Sequence, residues 1–333
     1  MTAVLHNLSQ LPEALAEAGL DVECHRDLIA RVRAHVAKYT EMEKDLVGDV
    51  SLSFPAYLLE TRLPEDPIAA GERLAELERE RLGLGETEAG DLMSLLDRQG
   101  FKIYRPAFPE DSPVEGVFAF DAAAGPVFLV NGSLAGAESG FTLARLYGHF
   151  LVDNSPYRIR VVVSGEAGAD PVDLRARSFG AAFLVPKRGL DRYLAAAGIG
   201  SGHPIDAGAV YQLAVYFEVG YRAVLTRLLA LEYIDAESIE PLLGELEECF
   251  EPPTVPHRPG AVPERFVRLA LEANARGTFN LDTLARLLET DPAAARELAD
   301  AFTLEPDAQH SRDREPGDAD PRGEAGAPFE TEH

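Results

Sequence analysis

Apolar residues recur at helical spacing along much of the chain, which predicts a mostly helical protein. In segment 26–47 apolar and charged residues fall on opposite sides of a helix. His35 and His25 belong to this region, and we expect both at the surface or its boundary rather than as ligands. Further helices are predicted at 68–82, 91–100, 172–186 and 188–198, and residues 207–303 are predicted to be mainly helical except at 251–263.

The spacing of apolar residues changes between residues 101 and 164, where short runs of strand type predominate. Strands are predicted at 101–105, 116–120, 126–131 and 157–164, with the second and third joined as a hairpin. A helix lies between the last two strands, from Ser139, which can cap it, to about Leu151. The pattern therefore predicts an α+β fold, predominantly helical, with a small sheet.

Charge narrows the possible partners of this chain. Its 333 residues include 56 acidic and 31 basic residues, a formal net charge of −25. Affinity for nucleic acid comes mainly from Lys and Arg on phosphates, so we expect a protein partner rather than a nucleic acid. No stretch approaches the roughly 20 apolar residues that span a bilayer. Cys24 and Cys249 fit no metal spacing, and we expect a cytoplasmic protein with no membrane contact.

Residues 141–149, FTLARLYGH, carry the most informative pattern. In an HExxH helix two histidines one turn apart bind one zinc ion, and the intervening glutamate activates the bound water. The corresponding residues here are Arg145, Leu146, Tyr147, Gly148 and His149. Only the second histidine is present.

Four blocks in order, over about residues 66–235, resemble the ImmA/IrrE family of zinc metallopeptidases. GFTLARLYGHFLV resembles the family's active-site helix, and DLMSLLDRQGFKIY with its following hairpin resembles the segment before it. DLRARSFGAAFLVP resembles the helix of the third zinc ligand, and YQLAVYFEVGYRAVLTRLLALEYI resembles the segment after it. The resemblance implies a zincin-like core, in which a small sheet supports the active-site helix.

The resemblance also assigns roles to single positions. The first histidine ligand falls on Arg145 and the catalytic base on Leu146; the other two ligands fall on His149 and Asp173. A guanidinium group stays protonated and offers no lone pair, and a leucine side chain cannot take a proton from water. No catalytic residue is therefore expected. His149 and Asp173 are vestigial metal candidates, and we expect no cofactor, or zinc if the site is retained.

Two interpretations of these residues remain open. Asp153 follows His149 by one helical turn and with Asp173 could complete a set of one histidine and two carboxylates for a divalent metal; alternatively, it belongs only to the helix end. Arg145 could instead pair with Asp173 and replace the charge of the ion, with Arg175 and Arg177 as competing partners. The alternative is that Arg145 points to solvent and Asp173 accepts backbone hydrogen bonds at its helix start.

The chain is predicted to have four parts: a helical N-terminal segment (1–64), a peptidase-like domain (65–200), a helical region with helix-turn-helix-like units (204–303) and a disordered acidic tail (304–333). The unit at 211–235 has helix-turn-helix proportions, and a DNA-reading version would use Tyr221, Arg222, Thr226 and Arg227. Because acidic residues follow it, packing is the preferred role.

We expect a catalytically degenerate metallopeptidase-like protein that binds a protein partner, such as a transcriptional regulator. The alternatives are an active zinc metallopeptidase with unorthodox ligands that cleaves a regulator, and a DNA-binding transcriptional regulator.

Overall fold

The computed structural model describes residues 8–48, 54–55, 66–121, 123–134, 136–153, 159–163, 170–199, 205–251, 253 and 262–304. The strands in these ranges are β1 (Lys102–Tyr104), β2 (Val114–Asp121), β3 (Gly125–Val130) and β4 (Ile159–Val163). The helices are α1 (Leu11–Glu17), α2 (Arg26–Leu46), α3 (Pro67–Leu82), α4 (Leu92–Arg98), α5 (Gly136–Asp153), α6 (Pro171–Leu184), α7 (Lys187–Ala197), α8 (Ala207–Phe217), α9 (Tyr221–Ala230), α10 (Ile239–Cys249), α11 (Glu264–Ala275), α12 (Leu281–Leu287) and α13 (Pro292–Leu304). The fold is α+β and mostly helical, as predicted.

The four strands form one mixed sheet in the order β1-β3-β2-β4. β1 runs parallel to β3, whereas β2 is antiparallel to both β3 and β4. The predicted hairpin is thus present as β2 and β3. The pairing of β2 with β4 is irregular between Val114 and Gly116, so Glu115 is an extra residue in β2. This bulge places Glu115 and Gly116 consecutively toward α5, which becomes important at the candidate site.

The largest hydrophobic core lies between one face of the sheet and α5, and includes side chains from α3 through α10. Aromatic rings fill its centre, where Phe101, Phe128 and Phe150 contact one another with centroids 4.8 to 6.3 Å apart. Tyr147 on α5 is fully buried in this core. Its hydroxyl also donates a hydrogen bond to the buried Glu78 on α3.

The opposite face of the sheet is covered by a short 3-10 turn at Leu8–Gln10, α1 and the first half of α2. The second half of α2 packs instead against α11, α12 and α13, forming a third core. Thus α2, a single helix of 21 residues, joins two cores.

The prediction that His25 and His35 lie at the surface or its boundary is wrong, because both are buried. His35 is stacked between Tyr104 of β1 and Phe266 of α11, with centroids 4.0 and 4.3 Å away, and burial lowers its pKa to about 3. His25 is held by the Asp21 carbonyl and the Ser112 hydroxyl, 2.7 and 2.9 Å from its two ring nitrogens.

Polar groups cross the junction between α2, β1, α4 and α11. Lys102 of β1 lies 2.6 Å from Glu43 of α2, and Arg265 of α11 pairs with the same carboxylate. Asp97 of α4 accepts hydrogen bonds from the Tyr39 hydroxyl at 3.2 Å and from the Arg265 amide at 2.8 Å. Burial raises the pKa of Asp97 to about 6, although these donors oppose the rise.

The start of the helix between β3 and β4 differs from the sequence prediction. Helix α5 begins at Gly136, and Ser139 lies inside it, where its hydroxyl donates to the Gly136 carbonyl. The largest core crosses the predicted boundary near residue 204, although the division into four parts stays a prediction because shared packing alone does not define domains. The tail beyond residue 304, predicted to be disordered, lies outside the described residues. None of the helices in the described segments has the length and apolar content that crossing a membrane requires.

Candidate functional site

Helices α5 and α6 approach each other closely, and glycine at two contact positions makes this possible. A Cβ atom on Gly148 of α5 would lie 2.7 Å from the Phe179 ring. On α6, a Cβ atom at Gly180 would lie 3.3 Å from both the Arg145 Cγ and its backbone nitrogen. These distances are below ordinary van der Waals contact, so the missing side chains let α5 and the second half of α6 pack closely together.

Arg145 and His149 lie one turn apart on α5, and both are buried. Asp173 comes from the first turn of α6, a helix whose start is capped by Asp170 through its bond to the Val172 amide. The Asp173 Oδ1 lies 3.0 Å from Arg145 Nη2 and 3.8 Å from His149 Nε2. The structure thus brings together the three positions at which the family resemblance puts zinc ligands.

The ion pair between Arg145 and Asp173, which the sequence left open as one of two alternatives, is therefore present. The Arg145 side chain is only 6% exposed, which rules out the alternative that it points to solvent. Arg177, predicted as a competing partner, binds the second oxygen of Asp173 at 3.3 Å. Burial by itself raises the pKa of Asp173, but the His149 imidazole and the two guanidinium groups lower it by more, so its pKa lies well below its ordinary value.

Glu115 is the member of this site that sequence reasoning missed. Its carboxylate lies 2.8 Å from Arg145 Nη1, so the guanidinium bridges Glu115 of β2 and Asp173 of α6. Strict alternation along β2 would have turned Glu115 to the other face of the sheet, and the bulge turns it toward α5. The sequence prediction began this strand at Gly116, so Glu115 was left outside it, whereas β2 begins at Val114 and includes both residues.

A third carboxylate, Glu138, lies near this cluster on the first turn of α5. Glu138 is 3.8 Å from Arg222 of α9 at the closest ion-pair atoms. Burial raises the pKa of Glu138; Arg222 opposes the rise, and the negative charge of Glu115 adds to it. Acidic and basic side chains from β2, α5, α6 and α9 thus lie along α5.

The residues at this site do not fit a zinc ion. Arg145 places one guanidinium nitrogen on each of the two nearest carboxylates, so a cation occupies the position between the oxygen donors. Among the described residues, no group of three or more His, Cys, Asp or Glu side chains is arranged to hold a metal ion. Leu146, to which the family resemblance assigns the position of the catalytic base, is fully buried against the sheet. The side chain of Asp153, the predicted extra ligand, lies outside the described residues.

No family model matches this chain, and no curated protein is significantly similar to it in sequence. The resemblance to ImmA/IrrE peptidases and the roles it assigns therefore stay predictions. What the structure adds is the geometry of the residues themselves, in which a buried arginine joins two carboxylates beside a buried histidine.

Two of the residues that a DNA-reading version of the helix-turn-helix-like unit would use are buried. Tyr221 is buried, and its hydroxyl donates to the Glu251 carbonyl at 2.8 Å. Arg227 is 3% exposed; it donates to the Val185 carbonyl at 3.0 Å and pairs with Glu72 of α3. Helix α9 is therefore held into the largest core by side chains that a recognition helix would present to bases.

Proposed function

We propose that this chain is a regulatory protein-binding module with a metallopeptidase-like fold that lacks catalysis. The observation that carries the proposal is the Arg145 bridge. A permanently charged guanidinium joins Glu115 and Asp173 where a hydrolytic zinc ion would need free donors and a water molecule. On this proposal Arg145 has taken over both the charge of the ion and its cross-linking of α5 to α6.

The residue next to Arg145 supports the same conclusion. A water nucleophile needs a neighbouring base, and the corresponding position is Leu146, whose side chain packs in the core. His149 has no metal to bind on this proposal, and its position beside Asp173 at 3.8 Å gives it a role in the charge cluster instead. The site then stabilises the fold rather than a transition state.

The proposed partner is a protein, for example a transcriptional regulator, and the net charge of −25 supports this choice over nucleic acid. The burial of Tyr221 and Arg227 supports it further, because it leaves α9 without two of its four candidate DNA contacts. A protein that binds a regulator without cutting it would control the regulator by occupancy.

Metal content and the fate of the partner test the proposal together. The full-length chain would be purified without chelator beside the His149→Ala variant, and zinc per chain would be measured in both. Proteins that co-elute from the native cell would then be incubated with the purified chain and added zinc, and their masses recorded. We expect little zinc, no difference between the two proteins, and a partner of unchanged mass.

Two outcomes would overturn the proposal, each in favour of a different function. Stoichiometric zinc that is lost in His149→Ala, together with a cleaved partner, would favour an active zinc peptidase with unorthodox ligands. A shift in DNA mobility that weakens steeply with salt would favour a transcriptional regulator.

A further inference from the structure

A cleft lies beside the start of α5, between α4, the end of β1 and the turn that joins α8 to α9. Its volume is about 50 Å³, which is room for about four water molecules. Gly136, Gly140 and Leu143 line it from α5, at spacings of four and three residues, so they share one side of the helix. Arg145 and His149 lie on another side, and the cleft therefore uses different residues of α5 from the charge cluster.

Most of the side chains around the cleft are apolar and buried. They include Leu92, Met93, Ile103, Leu143, Leu184 and Val219. A Cβ atom on Gly140 would have no neighbour within 4 Å, so there is open space beside this glycine. Binding sites for small molecules are typically concave and apolar, with a few polar groups that fix the orientation of the ligand. The polar groups of this cleft therefore decide which ligand it suits.

Three charged residues line the cleft, namely Asp91, Arg105 and Glu218. The Asp91 carboxylate is already engaged at the start of α4, because it accepts hydrogen bonds from the Ser94 amide and hydroxyl at 3.2 and 2.6 Å. Arg105 follows β1, and its Nη2 donates to the Leu134 carbonyl at 3.4 Å. This bond holds the guanidinium group beside the segment that leads into α5.

Glu218 lies in the turn between α8 and α9. Within the described ranges no Lys, Arg or His side chain lies within ion-pair distance of its carboxylate, Arg105 included. Partial burial and the negative charge of Glu88 raise the pKa of Glu218. The cleft is thus lined by a cation and an anion that do not neutralise each other.

These two charges select the ligand. A simple anion is attracted by Arg105 but repelled by Glu218, and a simple cation meets the reverse arrangement. A neutral apolar molecule would desolvate both charged groups and give neither a hydrogen bond in return. A molecule with a carboxylate and an ammonium group offers each of them a charged hydrogen-bond partner.

The size and the apolar wall of the cleft narrow the choice further. Because the cleft reaches the exposed Gly90 at its rim, a ligand of about six non-hydrogen atoms can fit with its charged end toward solvent. The buried side chains suit a short hydrocarbon group at the other end.

We propose that this cleft binds a free amino acid with a short apolar side chain, its carboxylate toward Arg105 and its ammonium group toward Glu218. Binding would stabilise the chain in proportion to the concentration of a small metabolite. This inference goes beyond the proposed function and does not use the Arg145 site, so each can fail without the other.

Calorimetric titration of the full-length chain with three small molecules tests the choice of ligand. L-alanine carries both charges, propionate lacks the ammonium group, and L-alanine methyl ester lacks the carboxylate. We expect L-alanine to bind with a dissociation constant below about 1 mM and to raise the temperature of thermal unfolding. Propionate and the ester should each bind at least about ten-fold more weakly.

Two variants with matched controls assign the binding to the cleft. Glu218→Gln should weaken the binding of L-alanine about ten-fold without weakening that of propionate. Its control is Glu232→Gln, because Glu232 has a similar backbone φ of 59°, against 56°, and does not line the cleft. Gly140→Leu should fill the open space and abolish binding, whereas Gly244→Leu, on α10 and equally without neighbours, should bind like the unmodified chain.

The proposal is overturned if L-alanine at about 10 mM produces neither heat nor a shift in unfolding temperature. It is also overturned if Gly140→Leu, shown to be folded by its thermal unfolding, binds L-alanine like the unmodified chain. Propionate that binds as tightly as L-alanine would assign the cleft to a simple carboxylate, and an equally tight ester would assign it to a cation. Each of these results would refute an amino acid as the ligand.

Discussion

The Arg145→Met variant is the most direct test of how the buried charge cluster contributes to stability. Methionine keeps the unbranched stem that packs against Gly180 but carries no charge. The substitution leaves Glu115 and Asp173 without the cation that joins them, and their side chains are only 16% and 20% exposed. Solvation by water can therefore replace the lost partner only in part.

The expected loss of stability follows from these contacts. Two unit charges about 3 Å apart attract by roughly 5 kcal/mol at an effective dielectric constant of about 20, and desolvation of the charges offsets much of this. Removing one member of a buried ion pair costs about 3 to 5 kcal/mol. Because Arg177 still contacts Asp173 in the variant, we expect the lower end, about 3 kcal/mol.

Urea unfolding at neutral pH, followed by circular dichroism, measures this loss. Arg192→Met is the matched control, because the ion pair of Arg192 with Glu86 is 2.8 Å long but its side chain is 57% exposed. An exposed pair contributes about 0 to 1 kcal/mol, so the control should unfold almost like the unmodified chain. A loss below about 1 kcal/mol in Arg145→Met would refute the reasoning.

The dependence of this loss on pH provides an independent check. The pKa of Asp173 in the folded protein lies below its ordinary value of 3.8, so its contribution to stability is fully present above that value. The contribution is lost as the pH falls toward the folded pKa, because the carboxylate must then be protonated. The difference between Arg145→Met and the unmodified chain should therefore shrink below about pH 4. A constant difference across this range would contradict the assignment to charge.

Three further predictions concern other parts of the molecule. Arg145→His should place a second imidazole near His149 and free both carboxylates. Calorimetry and metal analysis should then find about one zinc ion bound per chain. If Arg145→His binds no more zinc than Arg145→Gln does, this expectation is wrong. Gly71→Ala should lower the free energy of unfolding by about 1 to 3 kcal/mol, because the new Cβ would lie 2.4 Å from a carbonyl oxygen of α6. Gly244→Ala is the control: its new Cβ would have no neighbour within 4 Å, so this variant should be as stable as the unmodified chain. The pKa of Asp97 is raised from 3.8 to about 6 in the folded chain, so the folded chain holds this proton more tightly than the unfolded chain does. The free energy of unfolding should therefore fall by roughly 2 kcal/mol as the pH rises from about 4 to 6. Urea unfolding across this range should show that Asp97→Asn lacks this fall, and identical pH profiles of the variant and the unmodified chain would exclude the carboxyl group as its source.

The sequence predicted those features that depend on neighbours close along the chain. The helical spacing in segment 26–47 predicted α2, and the change to short apolar runs predicted the hairpin of β2 and β3. Local periodicity was sufficient in these two cases. The pairing of Arg145 with Asp173 came instead from the positions that the family resemblance assigns, and the sequence left it open against an Arg145 that points to solvent; the structure shows the pair.

The features that were missed depend on contacts between distant segments. The burial of His35 is caused by Tyr104 and Phe266, which come from a strand and a helix far along the chain. The role of Glu115 depends on one extra residue in the pairing of β2 with β4, and no periodic pattern encodes that irregularity. Propensity and spacing describe an element, whereas its partners are set by the tertiary fold.

Helix α2 has a consequence for how the two ends of the chain depend on each other. At 1.5 Å per residue its 21 residues extend about 30 Å, with one half under the sheet and the other against α11–α13. Truncation before α11 would expose Tyr39 and Met42 to solvent. The last turns of α2 would then unfold more easily, and these belong to the same helix that packs under the sheet. The first and last helices of the described chain should thus melt as one cooperative unit, despite their separation in sequence.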